Sequence, residues 1–300
     1  FGFCSIGGNR TVSNNTAIGY TSMYQGTTTE GLNSFVGAGS GRCMTSGEQN
    51  SGLGINALEG NTTGSRNTAT GASSLSVNST GADNTAVGHG ALSANTTASE
   101  NTSVGRASLQ QNTTGTANAA LGFKALNANT TGSSNTSVGK DSLKVNTTAS
   151  NNVAVGFESL CKNTTGTCNV AVGKGALKAN ITTSDNTGVG TNALNGNTGE
   201  CNTGVGSGVL ENNTATNNTA VGRRALYLNT SGANNVAVGY LSLDANTTGD
   251  CNIAVGRGAL GANTTASGNV AIGDLALVAN TTGLGNVAMG VSALAANTTA

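Results

Sequence analysis

A repeat of 17 residues runs through nearly the whole chain, and it limits the fold to architectures built one small unit at a time. From Asn15 onward the sequence follows N-[TV]-A-V-G-x-x-[AS]-L-x-A-N-T-T-G-x-x, restarting at Asn33, Asn50, Asn67 and so on to Asn286. All seventeen starts carry Gly four residues later, from Gly19 to Gly290, and Leu holds the ninth position from Leu58 to Leu294. Columns kept in such register exclude a disordered low-complexity chain. The first repeat has 18 residues, and those starting at Asn186 and Asn202 have 16. Residues 1–49 read as degenerate N-terminal coils and residues 50–300 as regular ones, together one continuous solenoid expected to be a segment of a longer chain.

Seventeen residues are too few for a helix–turn–helix repeat and too rich in Asn, Gly and Thr for helices. The period predicts an all-β parallel β-solenoid (β-roll or β-helix). Each coil is expected to hold a short strand, a Gly turn, a second strand around [AS]-L-x-A and an N-T-T-G turn. Stacking at the ~4.8 Å strand spacing predicts a rod of roughly 80 Å. The chain has 46 Gly and no Pro. A ladder that uses nearly every N–H excludes Pro, and a corner with positive φ requires Gly at the fifth position.

Strand alternation places the second and fourth residues of N-V-A-V-G on one face and the third on the other. The fourth, almost always Val, Ile, Leu or Met, is assigned to the interior. The third, a column of tiny residues such as Ala86, Ser103, Ala171, Gly188 and Ala254, is assigned to the outside. An outward column of tiny residues predicts a second backbone packed close against it. Burial worth roughly 4–6 kcal/mol per coil is modest against the ordering entropy of its residues, which also favours a homo-oligomer.

Segments such as Asn152–Ser159 (NVAVGFES), Asn169–Leu177 (NVAVGKGAL) and Asn252–Leu260 (NIAVGRGAL) resemble the β-roll head repeats of trimeric autotransporter adhesins. The longer N-T-A-V-G-x-x-A-L-x-x-N-T-T-G form is similar to repeats of phage and virus tail-fibre proteins. The likeness covers nearly the whole chain and implies left-handed parallel rolls in a homotrimer. The coil is longer than the usual adhesin head repeat, and these residues include no stalk coiled coil or membrane anchor.

Charged residues make up 9% of the chain and the formal net charge is zero. Such a chain has no electrostatic footprint for nucleic acid or an anionic membrane, and no apolar run reaches the ~20 residues of a membrane helix. Catalysis needs converging titratable groups. The single His, His89, lies in an outward corner, and Glu59, Asp83, Glu100, Asp141, Glu158, Asp185, Asp244 and Asp274 are scattered without an acidic column. G-x-G at Gly88–Gly90, Gly173–Gly175 and Gly256–Gly258 lacks the helix and downstream acid of a dinucleotide site. The expectation is therefore no enzyme, no cofactor and no metal site. Arg106, Lys124, Lys140, Lys174, Arg223 and Arg257 cluster near the corner after the Gly, as solvated charges or as a surface-binding stripe.

Cys161 and Cys168 bracket one N-T-T-G-T turn and are the candidate disulfide; the pairing of Cys4, Cys43, Cys201 and Cys251 is open. Nineteen N-x-[ST] sequons occur. Asn61, Asn78, Asn95, Asn112, Asn129, Asn146, Asn163, Asn180, Asn229, Asn246, Asn263, Asn280 and Asn297 share one column and are candidate N-glycosylation sites. Asn9, Asn14, Asn101, Asn135, Asn212 and Asn217 are the others. Asn-Thr-Thr is also plain turn chemistry, so the column reads either way.

The sequence thus predicts a structural extracellular fibre shaft or adhesin-like rod, at a cell surface or on a virion, self-associating as a homotrimer or a stacked filament. An N-glycan sheath is an optional partner. The alternative is a repetitive binding surface for a polysaccharide, a host surface or an ice lattice, displayed by paired Thr such as Thr96-Thr97, Thr113-Thr114 and Thr130-Thr131.

Overall fold

Residues two to four of each repeat are Thr, Val, Ile, Ala or Ser with few exceptions, types that suit a short extended segment. In the computed structural model, which describes residues 14–25 and 31–299, each such triplet is a strand of three residues. The chain divides into two compact units, Phe1–Asn152 and Val153–Ala300. The first holds eight strands, from β1 (Thr16–Ile18) to β8 (Thr136–Val138), and the second nine, from β9 (Val153–Val155) to β17 (Val287–Met289). Within each unit successive strands pair in parallel and in register. Thr85, Ala86 and Val87 face Thr102, Ser103 and Val104 in the first, and Val170, Ala171 and Val172 face Thr187, Gly188 and Val189 in the second. The described residues contain no helix. Each unit is a parallel β-solenoid, one coil per repeat.

The expected second strand is absent from the described residues. Positions six to eleven form a run of turns in which the seventh and ninth residues are left-handed, as at Ala107 (φ 55°) and Leu109 (φ 47°), or Glu158 (φ 53°) and Leu160 (φ 50°). Left-handed residues break the pleat that a strand requires. Backbone bonding between coils continues nonetheless. The N–H of Thr85 donates to Asn101 O at 2.8 Å, that of Leu92 to Ser108 O at 3.1 Å and that of Thr113 to Thr130 O at 2.9 Å. Donors are consumed all round the coil, which accounts for a chain without Pro.

The fifth-position Gly is fixed by both conformation and space. Gly88 has φ 133°, and a Cβ there would stand 2.6 Å from Gly105 O in the next coil. No L side chain fits that corner.

The assignment of strand faces is reversed. Ala86, Ser103, Ala171 and Ala254 are fully buried and Gly188 is buried too, while the second and fourth residues of every repeat are exposed or half-exposed. The coil is too narrow for Val from the strand, because the ninth-position Leu already fills the interior, with Leu58 to Leu194 and Leu210, Leu226, Leu243, Leu260 and Leu277 fully buried.

Substitutions within the repeat show that these columns share one volume. Phe35 occupies the third position in its coil, and there the ninth position is Gly41 and the next third position Gly52. A Cβ on either glycine would stand 2.7 Å from the Phe35 ring. Val209 fills the eighth position, and the third position of its coil is Gly204, where a Cβ would come within 3.0 Å of Val209 Cγ1. Where the third position is Ser the eighth is Ser too, and the two bond: Ser137 Oγ to Ser142 Oγ at 2.9 Å, and Ser103 to Ser108. Close packing in a small interior dictates each exchange.

Candidate functional site

The interior carries two ladders of asparagine. First-position residues stack so that Asn101 N–H donates to Asn84 Oδ1 at 3.0 Å, while Asn101 Nδ2 donates to the same oxygen at 3.3 Å and to Gly115 O at 3.0 Å. Twelfth-position residues form the second ladder. Asn78 Nδ2 donates to Asn61 Oδ1 at 2.7 Å and to Gly81 O at 2.9 Å, and Asn246 Nδ2 to Asn229 Oδ1 at 2.7 Å and Gly249 O at 3.0 Å. Buried amides are tolerable because both N–H groups find acceptors.

The second ladder is the column proposed for glycosylation, and the structure corrects that expectation. Asn61, Asn78, Asn95, Asn112, Asn129, Asn146, Asn163, Asn180, Asn229, Asn246, Asn263 and Asn280 are all fully buried. Asn297 is half-buried, its Nδ2 donating to Asn280 Oδ1 at 3.4 Å. Their amide nitrogens point into the coil, so a glycan attached there would have to replace the ladder. Asn101 and Asn135 are buried in the first ladder; Asn14, Asn212 and Asn217 are exposed. Asn9 lies outside the described residues.

The thiols differ from expectation too. Cys161 and Cys168 are both free, not a disulfide, as are Cys43, Cys201 and Cys251; Cys4 lies outside the described residues. Cys168, Cys201 and Cys251 occupy the exposed left-handed corner before the opening Asn (φ 58°, 56° and 56°). Cys161 is half-buried, its thiol 3.9 Å from Lys178 O, and burial, followed by the charge of Glu158, pushes its pKa up. Pulse alkylation read by mass spectrometry is expected to label Cys168, Cys201 and Cys251 roughly tenfold faster than Cys161 at pH 8. Equal rates would contradict this placement.

Charges decorate the outside and pair one coil apart, except for Lys144 and Asp141 of a single coil. Arg66 reaches Asp83 with two bonds of 2.6 and 2.8 Å, and Arg257 reaches Asp274 at 2.8 and 2.9 Å. These hydrogen bonds hold both carboxyls below the usual carboxylate range. Lys178 pairs with Glu158 at 2.7 Å, Lys144 with Asp141 at 3.2 Å, and Arg42 with Glu59. Of the corner cations, Arg106, Lys140, Lys174, Arg223 and Arg257 are exposed and Lys124 half-exposed. His89 is exposed. Among the described residues no group of three or more His, Cys, Asp or Glu is placed to hold a metal ion, and no helix is long and apolar enough to cross a membrane.

Two surfaces recur along the units, the strand face in every coil and the paired Thr in most. The first Thr of each N-T-T turn ties its hydroxyl to the next coil, as Thr130 Oγ1 does to Thr147 O at 3.0 Å, and the second, such as Thr97, Thr114 or Thr131, is exposed. The strand face shows two columns, the second and fourth positions. In all seventeen coils these residues are uncharged, and the fourth is aliphatic except at Thr70. Val87, Leu121, Val205 and Val221 are among the exposed members. The fourth column was expected inside, and finding it outside makes this face the most distinctive surface of each unit. Compared with protein-family models and with curated proteins, the chain matches none.

Proposed function

We propose that the chain is a structural, non-enzymatic shaft or adhesin-like rod of an extracellular fibre, on a cell or a virion, in which copies associate through the strand face. The observation that carries this reading is the charge-free face itself. Lys, Arg, Asp and Glu number 26 in the chain, 13 of each sign, yet none stands in either outward strand column. In the second unit nine strands at ~4.8 Å, each about 7 Å across its two outward residues, make a strip of roughly 300 Å². The largest apolar patch of a typical monomer measures about 300–600 Å² and often serves as a contact surface, and this strip falls at that size. The tiny-residue column no longer supports association, since it is the core; the exposed Val and Thr columns take its place. The resemblance to adhesin heads and tail fibres points the same way.

Sedimentation equilibrium tests this. The chain is expected to sediment above its 29.1 kDa monomer mass. A Val172→Lys, Val189→Lys, Val205→Lys variant is expected to sediment as a monomer with an unchanged circular dichroism spectrum. A monomeric parent chain at about 100 μM, within the range where weak assemblies form, or a variant that still associates, would overturn the reading.

The exposed second Thr of each pair favours one other use, a repetitive binding surface for a polysaccharide, a host surface or an ice lattice. Thermal hysteresis or polysaccharide retention lost on replacing Thr97, Thr114 and Thr131 by Lys would support it.

A further inference from the structure

The seventh column of the second unit is interrupted by glycine three times, at Gly175, Gly208 and Gly258, and only Gly208 lines a cavity with two arginines. At the sixth and seventh positions, three successive coils carry Thr191-Asn192, Ser207-Gly208 and Arg223-Arg224. Backbone geometry does not demand the glycine. Gly208 has φ 61°, close to the 55° of both Asn192 and Arg224 in the same column. Nor does space demand it, since a Cβ there would lie 3.6 Å from Glu211 Oε2 and 3.8 Å from Arg224 Cγ. What Gly208 does is open a solvent-facing cavity of about 280 Å³, with Ser207 beside it, Asn192 on one wall, and Arg223, Arg224 and Tyr227 on the other. Glu211 borders it as well.

The cations here are held but not neutralised. The Arg224 guanidinium lies 4.2 Å from the centroid of the Tyr227 ring, and that of Arg223 lies 5.9 Å from the Tyr240 ring. Stacking on a ring orients a guanidinium and leaves its N–H edge available. None of the five ion pairs among the described residues includes Arg223, Arg224 or Glu211. Arg257, three coils below Ser207 in the sixth column, is paired with Asp274. The acid coupled to Arg224 is Asp244, half-buried and without an ion pair to it.

We infer that this cavity binds one unit of an acidic sugar. The sugar carboxylate takes the free edges of Arg223 and Arg224, in the planar pairing that guanidinium favours. Its hydroxyls bond the Asn192 amide, the Ser207 hydroxyl and the Glu211 carboxylate. Glu211 makes the choice among anions: its charge repels a bare phosphate dianion, yet it is a strong acceptor for a polyhydroxylated monoanion. The cavity is smaller than the ~300–1,000 Å³ of drug-sized sites, so it suits a single ring with a dissociation constant in about the millimolar range. On a shaft with many copies such weak contacts add through multivalency.

The test is a ¹H–¹⁵N titration of the full chain with methyl β-glucuronide, in parallel with methyl β-glucoside and inorganic phosphate. Shifts confined to residues 207–211 and 223–227, with the glucuronide binding at least tenfold tighter than either control, are expected. Gly208→Asn, which places the side chain of Asn192 in the gap at an already left-handed position, is expected to abolish these shifts without lowering the melting temperature. Arg223→Gln with Arg224→Gln is expected to bring the glucuronide down to the neutral glucoside. Equal binding of all three probes, no shifts with the glucuronide, or undiminished binding by Gly208→Asn would overturn the assignment.

Discussion

Asn246→Asp is expected to destabilise the second unit by about 3–5 kcal/mol at pH 7, the cost of leaving a buried charge without a counterpart. In the parent chain Asn246 Nδ2 donates to Asn229 Oδ1 and Gly249 O, while Asn246 Oδ1 accepts from Asn263 Nδ2 at 2.9 Å. A carboxylate keeps the last bond and sets an anionic oxygen against two acceptors. Protonation restores one donor, so the folded state raises the pKa of the new carboxyl above the ~3.9 of an unfolded Asp. The sign follows from linkage. The folded variant binds more protons than the unfolded one, so its stability falls as pH rises from about 4 through the raised pKa, then levels off. Below pH 4 most of the deficit against the parent chain disappears. Asn212→Asp, at an exposed position of the same unit, is the control and is expected to leave the unfolding midpoint nearly unchanged. Equal behaviour of the two variants in urea titrations at pH 3.5 and 7 would show that the ladder is not buried.

Gly88→Ala and Gly90→Ala, two residues apart, are expected to differ widely. At Gly88 the new Cβ meets Gly105 O at 2.6 Å and Gly105 C at 2.7 Å, both backbone, at φ 133°. Strain of ~1–3 kcal/mol from the conformation and a similar amount from crowding give a loss of about 2–6 kcal/mol. At Gly90, φ is 66°, the nearest atom is Gln110 Nε2 at 3.4 Å, and the same column holds Ala107 at φ 55°. There the change costs about 1–2 kcal/mol, from the left-handed conformation alone. Denaturant midpoints of the two variants decide the matter. A similar loss in both would mean that the fifth-position glycines are not pressed against the next coil.

The stacking of coils was legible because it depends on the period alone. Gly at the fifth position, Leu at the ninth and the lack of Pro each report a backbone or volume constraint that every coil repeats. The direction of the strand was not legible from hydrophobicity, which puts Val87 inside and Ala86 outside, the reverse of the structure. A three-residue strand over a narrow interior obeys volume first. That signal was present in Phe35 with Gly41 and Gly52, in Val209 with Gly204, and in Ser103 with Ser108. The absence of a second strand was also written in composition. The ninth column holds no Val, Ile or Thr and the seventh only Thr21, whereas the strand columns are full of them, as left-handed positions disfavour β-branched residues. The Asn-Thr-Thr column was ambiguous in principle, because an amide that caps a turn and one that ladders inward have the same residue type. The cavity at Gly208 was visible only as one more G in a glycine-rich chain, since its meaning lies in the neighbours one coil above and below.

The most direct measurement of coil-on-coil stacking is a dipolar distance between nitroxides at Val172 and Val255. Both are outward fourth-position residues of the second unit, five coils apart, read in a variant with the native cysteines replaced by Ser. Five steps at the ~4.8 Å strand spacing give a narrow distribution near 24 Å, and moving the second label to Val238 shortens it by one step. A broad distribution, or a distance that does not change by one step per coil, would contradict the solenoid.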